Sequence, residues 1–81
     1  MTVVTLYSRP GCHLCDVARD AITALGAGSR FSLREVDIDS DDALLAAYLE
    51  RIPVVEVDGE IVSELMLDDE AVRLALGLGA A

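Results

Sequence analysis

The order of apolar segments restricts this chain more than any other feature: a short β-branched run, a Pro-Gly break, a helix-period stretch and a second β-branched run. Val3-Val4-Thr5-Leu6-Tyr7 reads as a strand buried on both faces. Ser8-Arg9-Pro10-Gly11 interrupts it, because Pro and Gly punctuate regular structure. Cys15, Ala18, Ile22 and Leu25 then recur at helical spacing, with Asp16, Arg19, Asp20 and Thr23 free to face water. Gly26 and Gly28 suit the left-handed backbone past a helix end. Phe31 to Ile38 reads as the next strand. Phe31 and Leu33 share one parity and Val36 and Ile38 the other, which predicts a bulge or a late start. A strand, a helix and a strand in this order close as a parallel, right-handed crossover.

The second half adds a different connection. Asp39 or Ser40 is the expected cap of a helix whose apolar positions include Leu44, Leu45, Tyr48 and Leu49. Val54 to Val57 and Glu60 to Ser63 flank Asp58-Gly59, a strong hairpin signal because a type I′ turn needs positive φ. Asp68 is the expected cap of a last helix, with Asp69 and Glu70 in its first turn, favourable against the helix dipole, and Val72, Leu74, Ala75 and Leu76 apolar. The order β-α-β-α-β-β-α predicts one α/β domain over residues 1–81: a four-stranded mixed sheet covered by three helices.

Such a domain is small. At 81 residues it buries only about 60% of the surface its unfolded chain exposes. A hydrophobic content of 53% nevertheless argues for a folded globule over a disordered segment. Fifteen acidic residues against six arginines and no lysine set the formal charge at −9. That balance argues against nucleic acid and against an anionic membrane, since both are gripped through Lys and Arg. It suits solubility and favours basic partners. No stretch approaches the roughly 18 apolar residues of a membrane span, and the first residues lack the basic region and cleavage site of a secretory signal. The expectation is a cytoplasmic monomer, in a compartment where thiols are mostly reduced.

In that setting Cys12-His13-Leu14-Cys15 points to chemistry. The pair sits where the first strand hands over to the first helix. Cys12 falls at or just before the first helical residue, where free N–H groups and the positive end of the dipole stabilise a thiolate. Cys15 lies nearly one turn on and begins the apolar stripe, so it is the more sheltered sulfur. An activated thiol beside a sheltered one is what dithiol–disulfide exchange requires: Cys12 attacks a substrate disulfide and Cys15 resolves the mixed disulfide. Two other readings stand beside this one. Both cysteines can be small buried hydrophobes. The pair can be half of a zinc site or a thiol-based metal carrier, although zinc usually takes four ligands and His13 alone adds a further Cys or His donor. No metal or organic cofactor is expected.

The segment Leu6-Tyr7-Ser8-Arg9-Pro10-Gly11-Cys12-His13-Leu14-Cys15 resembles the active-site segment of the glutaredoxin-like family, compact members of the thioredoxin superfamily. Val36-Asp37-Ile38-Asp39 and Ile52-Pro53-Val54-Val55 agree with it, so the resemblance runs from about Val3 to Leu76. It implies a thioredoxin-like fold and a disulfide oxidoreductase. It also implies a cis Ile52–Pro53 bond facing the cysteines, with Ile52 pairing its backbone with an extended substrate. Arg9 stands where glutaredoxins often carry a lysine, whose charge depresses the thiol pKa. His13, when protonated, favours the thiolate and makes the disulfide easier to reduce.

The chain departs from the family at one place. Glutaredoxins that bind glutathione have two glycines after the fourth strand, then an acidic pair at the last helix. Here Ser63-Glu64-Leu65-Met66-Leu67 precedes Asp68-Asp69. The missing glycines and the charge of Glu64 weigh against glutathione, and leave protein disulfides or other low-molecular-weight thiol disulfides as expected partners. The rival from another class is an interaction domain that keeps the fold and does no chemistry.

Overall fold

The computed structural model describes residues 2–77. Four strands form one sheet in the order β2-β1-β3-β4: β1 is Val3–Ser8, β2 Ser32–Asp37, β3 Val54–Val57 and β4 Glu60–Ser63. The helices are α1 (His13–Ala24), α2 (Asp42–Tyr48) and α3 (Asp69–Ala75). β1 runs parallel to β2 and antiparallel to β3, and β3 runs antiparallel to β4. This is the expected mixed α/β sheet. The C-terminal ends of β1, β2 and β4 and the start of β3 therefore share one end of the molecule.

Side-chain alternation divides the sheet into two faces. Val4 and Leu6 lie in register with Val57 and Val55, and these four are buried with Ala18 and Ile22 of α1, Val72 of α3 and Phe31. Thr5 and Tyr7 point the other way, as do their register partners Glu56 and Val54. There Tyr48 of α2 meets Tyr7, with ring centroids 4.8 Å apart.

The parity conflict in the second strand resolves as a late start and an early end. β2 pairs without a bulge from Val3↔Ser32 to Ser8↔Asp37. Phe31 precedes the strand in an isolated bridge to Ala27, and Ile38 follows it in a single 3-10 turn (Ile38–Ser40). Both are buried because the chain bends at each end and turns them inward. That turn also moves a cap. Asp37 accepts the Asp39 N–H (2.8 Å) and closes the 3-10 turn, while Asp41, in place of Asp39 or Ser40, caps α2 through the N–H groups of Ala43 (2.8 Å) and Leu44 (3.3 Å). The remaining signals stand as read. Asp58 (φ 50°) and Gly59 (φ 90°) make the hairpin turn, and Asp68 caps α3 by accepting from Ala71 N–H (3.1 Å). The bulge falls instead in the β3–β4 pairing: between Val55↔Ser63 and Glu56↔Ile61 the β4 strand advances two residues against one, with Val62 the extra residue.

Candidate functional site

Cys12 is the N-cap of α1, in extended conformation (φ −88°, ψ 102°). Pro10 and Gly11 place it there: the chain must reverse from β1 into α1 within four residues, and Gly11 takes φ 82°, a region glycine enters without cost. The capping role falls to sulfur, since the Cys15 N–H donates to Cys12 Sγ at 3.1 Å. Cys12 and Cys15 are joined as a disulfide with their Cα atoms 5.2 Å apart. Cys15 is fully buried and continues into the Ala18 and Ile22 stripe, whereas Cys12 is half-buried. His13 and Leu14, between the sulfurs, are exposed.

The Ile52–Pro53 bond is cis. Pro53 is buried at the start of β3, at the same end of the sheet as the disulfide. Ile52 is half-buried, and its N–H donates to the Tyr48 carbonyl (3.0 Å), as the Arg51 N–H also does (2.8 Å). The segment entering Pro53 thus hangs from the last turn of α2. The backbone N–H of Ile52, expected to pair with a substrate, is engaged by this bond within the chain.

Arg9 is not aimed at the sulfur as a lone charge. Its Nε lies 3.3 Å from Asp39 Oδ1, both side chains being about 40% exposed. The expectation for Glu64 also changes. Arg51 Nε hydrogen-bonds Glu64 Oε1, and this pairing holds the Glu64 carboxyl below its ordinary range and raises Arg51. The acidic charge expected to repel an anionic ligand is met by a neighbour. The Leu65 N–H donates to the Arg51 carbonyl (2.9 Å), which ties the β4–α3 loop to the chain just before Pro53. Leu65 has φ 66°, so the loop keeps the left-handed position that glycine would relieve. Buried Ser63 braces the same loop, donating to the Met66 carbonyl (3.1 Å) and accepting the Asp68 N–H (2.9 Å).

Three residues that the sequence reading did not single out organise this end: Arg51, Tyr48 and Glu35. The Arg51 guanidinium lies 5.2 Å from the Tyr48 ring centroid, completing a Tyr7–Tyr48–Arg51–Glu64 column. Arg51 had a signal, its position directly before Ile52-Pro53; Tyr48 had only its helical spacing. Glu35 on β2 accepts from Arg19 Nε (2.7 Å) and from the Ser8 hydroxyl (2.7 Å). The Arg19 bond holds its carboxyl below the ordinary range, against partial burial and with help from Ser8. On this side of the cysteine loop a groove of about 380 Å³ is lined by Ser8 to Gly11 and by Asp16, Arg19, Glu35 and Asp37. Among the described residues, no group of three or more His, Cys, Asp or Glu side chains is gathered as a metal site requires.

The geometry agrees with what this chain is similar to. The family described as glutaredoxin-like domain (DUF836) matches residues 3–77. The glutaredoxin-like protein YDR286C homolog of Dictyostelium discoideum is 26% identical over 73 residues, covering 83% of this chain and 68% of that protein. Among solved structures, protein XcR50 of X. campestris superposes with a TM-score of 0.75 at 36% identity, covering 95% of this chain and 99% of its own. A mutant thioredoxin of Halobacterium salinarum superposes with a TM-score of 0.65 at 23% identity, over 95% of this chain and 73% of its own; at that identity the likeness speaks to the fold.

Proposed function

The chain belongs to the glutaredoxin-like domain (DUF836) family, and from that premise we propose that it is a dithiol–disulfide oxidoreductase in which Cys12 is the nucleophile and Cys15 the resolving thiol. One observation carries the proposal: the two sulfurs are bonded to each other at the start of α1, one half-exposed at the helix N-cap and the other sealed in the core. The N-terminal N–H groups and dipole favour negative charge on Cys12, and burial withholds the same benefit from Cys15.

In the reduced protein the Cys12 thiolate attacks one sulfur of a substrate disulfide. A Cys12–S bond forms, the substrate S–S bond breaks, and one substrate thiolate leaves. Cys15 then loses its proton and attacks Cys12 Sγ, which closes the Cys12–Cys15 bond and releases the second thiolate. The substrate gains two electrons and two protons, and the protein is left as the disulfide. The buried cis Pro53 and the Ile52 carbonyl line the approach to Cys12, while Arg9 and His13 modulate charge around it. No cofactor takes part.

The test is alkylation of the reduced protein against pH, with each sulfur read by mass. Cys12 should react first, with a pKa below the unperturbed value of about 8.5. Cys15→Ser should accumulate a mixed disulfide on Cys12, and Cys12→Ser should be inactive. Faster alkylation of Cys15 at neutral pH, or no mixed disulfide in Cys15→Ser, overturns the assignment.

A further inference from the structure

We propose that the disulfides this site reduces are carried on cationic polypeptides, in preference to anionic small-molecule disulfides. The inference rests on the redox reading above and adds the substrate's chemistry.

Arginines supply every basic side chain of the sequence apart from His13. Each of the three at the sulfur end is already ion-paired within the chain: Arg9 with Asp39 (3.3 Å), Arg19 with Asp16 (2.9 Å) and Glu35, and Arg51 with Glu64. An anionic ligand would have to break one of these pairs to gain a counter-charge. The carboxylates are not used up in the same way. Asp37, Asp41 and Asp42, where the chain leaves β2 and enters α2, add negative charge beyond these pairs, and Asp37 lines the groove beside the cysteine loop. Asp37 and Asp41 accept backbone N–H groups, which fixes their positions and leaves their charge in place. Two other arginines, Arg30 and Arg73, line a hollow with Ala24, Leu25 and Gly26 past the far end of α1. The sixth arginine, Arg34, is exposed in the middle of β2 opposite Thr5, and Asp58 and Glu60 stand at the far hairpin; the larger surplus of carboxylate is at the sulfur end.

A polypeptide fits the remaining surface better than a compact ligand does. Leu14 is 46% exposed between the cysteines, and Leu65 (53%) and Met66 (71%) are exposed on the β4–α3 loop at the same end of the sheet. An extended chain crossing from the loop to the groove would set an apolar side chain on the first side and a lysine or arginine on the second. Complementary charge acts mainly on the encounter rate, and salt screens it.

The experiment uses the reduced full chain and three extended peptides. Each carries one cysteine as a mixed disulfide with pyridine-2-thiol, and they differ only in having lysine, serine or glutamate on both flanks. Stopped-flow release of pyridine-2-thione gives the second-order rate constants. At low ionic strength the lysine peptide should react about tenfold faster than the glutamate peptide. The ratio should fall to about twofold or less at roughly 0.5 M salt, where the Debye length is only a few ångströms. Asp37→Asn, Asp41→Asn and Asp42→Asn together keep the capping oxygens, since Asn caps about as well as Asp, and should lower both the lysine preference and its salt dependence. Equal rates for the lysine and glutamate peptides at low salt, or a faster glutamate peptide, overturn the inference while leaving the redox reading intact. Failure of the serine peptide to react overturns the redox reading, and the inference with it.

Discussion

The two faces of the sheet are built differently. Under α1 and α3, Val4, Leu6, Val55 and Val57 are closed over by Ala18, Ile22 and Val72 in one buried cluster. On the other face α2 has no buried residue; Leu44, Leu45 and Tyr48 are half-covered and Leu49 is exposed. Beside the buried Val54, this face carries aromatic and polar contacts: the Tyr7–Tyr48 contact, the Tyr7 hydroxyl donating to Glu56 (3.2 Å), and Arg51 lying across Tyr48. Sulfur and proline are thus mounted on unlike supports. Cys12 and Cys15 ride on the helix that forms the core, so the core fixes the position of the disulfide. The chain entering Pro53 hangs from the last turn of α2, a helix with no buried residue, and such a support opens locally at a lower free energy.

The largest expected effect is on the dense face. Ile22→Ala should destabilise the domain by about 3 kcal/mol, within the usual range of roughly 2–5 for a buried aliphatic residue cut to alanine. Leu45→Ala on α2 should cost about 1 kcal/mol, because a half-covered side chain has less surface to lose and can collapse its gap. Urea midpoints at constant m-value measure both. Equal costs would break the distinction between the faces.

Tyr48→Ala attacks the thin face at its strongest point and should cost about 1–1.5 kcal/mol, the worth of an aromatic pair beyond its buried area. It carries a second readout. Burial, and then the nearby Glu56 carboxylate, raise the Tyr7 hydroxyl above its ordinary pKa. Removing the covering ring lets water reach Tyr7, and its titration followed by ultraviolet absorbance should move back toward 10. An unmoved Tyr7 titration would mean that Tyr48 does not shield it.

This difference between faces also explains what was legible in the sequence. Features carried by local chemistry were readable: the Pro10-Gly11 break before Cys12, the Asp58-Gly59 turn, the Asp68 cap, and the stripe of Cys15, Ala18 and Ile22. Each states its conformation within a few residues. The cap of α2 was misplaced because Asp39, Ser40 and Asp41 are all good caps, and the choice among them is made by the 3-10 turn that tucks Ile38 into the core. Pairings of charge were not legible at all. Arg9 with Asp39 and Arg51 with Glu64 join residues 30 and 13 positions apart, and only the meeting of loops at one end of the sheet selects them. The cis bond was reached through the family resemblance, since nothing local in Ile52-Pro53-Val54 demands it.

The smallest expected effect compares the ion pairs on the two sides of the cysteine loop, and it depends on pH. Glu35 is held by Arg19 and Ser8 against the dense face, and its carboxyl lies below the ordinary range chiefly because of the Arg19 bond. A depressed folded-state pKa adds stability that is complete above the unfolded value, near 4.3, and is lost as pH falls through the folded one. Glu35→Gln should therefore be less stable than the natural chain at neutral pH, and the two stability curves should converge below about pH 4. The side chains of Arg19 and Glu35 are about one-third exposed, so water screens the pair and the neutral-pH difference should stay under about 1 kcal/mol. Glu64→Gln, made in the more solvated pair on the other side, should shift the midpoint less, because no hydroxyl or partial burial reinforces that bond. A Glu35→Gln deficit that persists unchanged at pH 3 would assign the effect to packing of the glutamate side chain, and the charge argument for this side of the loop would fall.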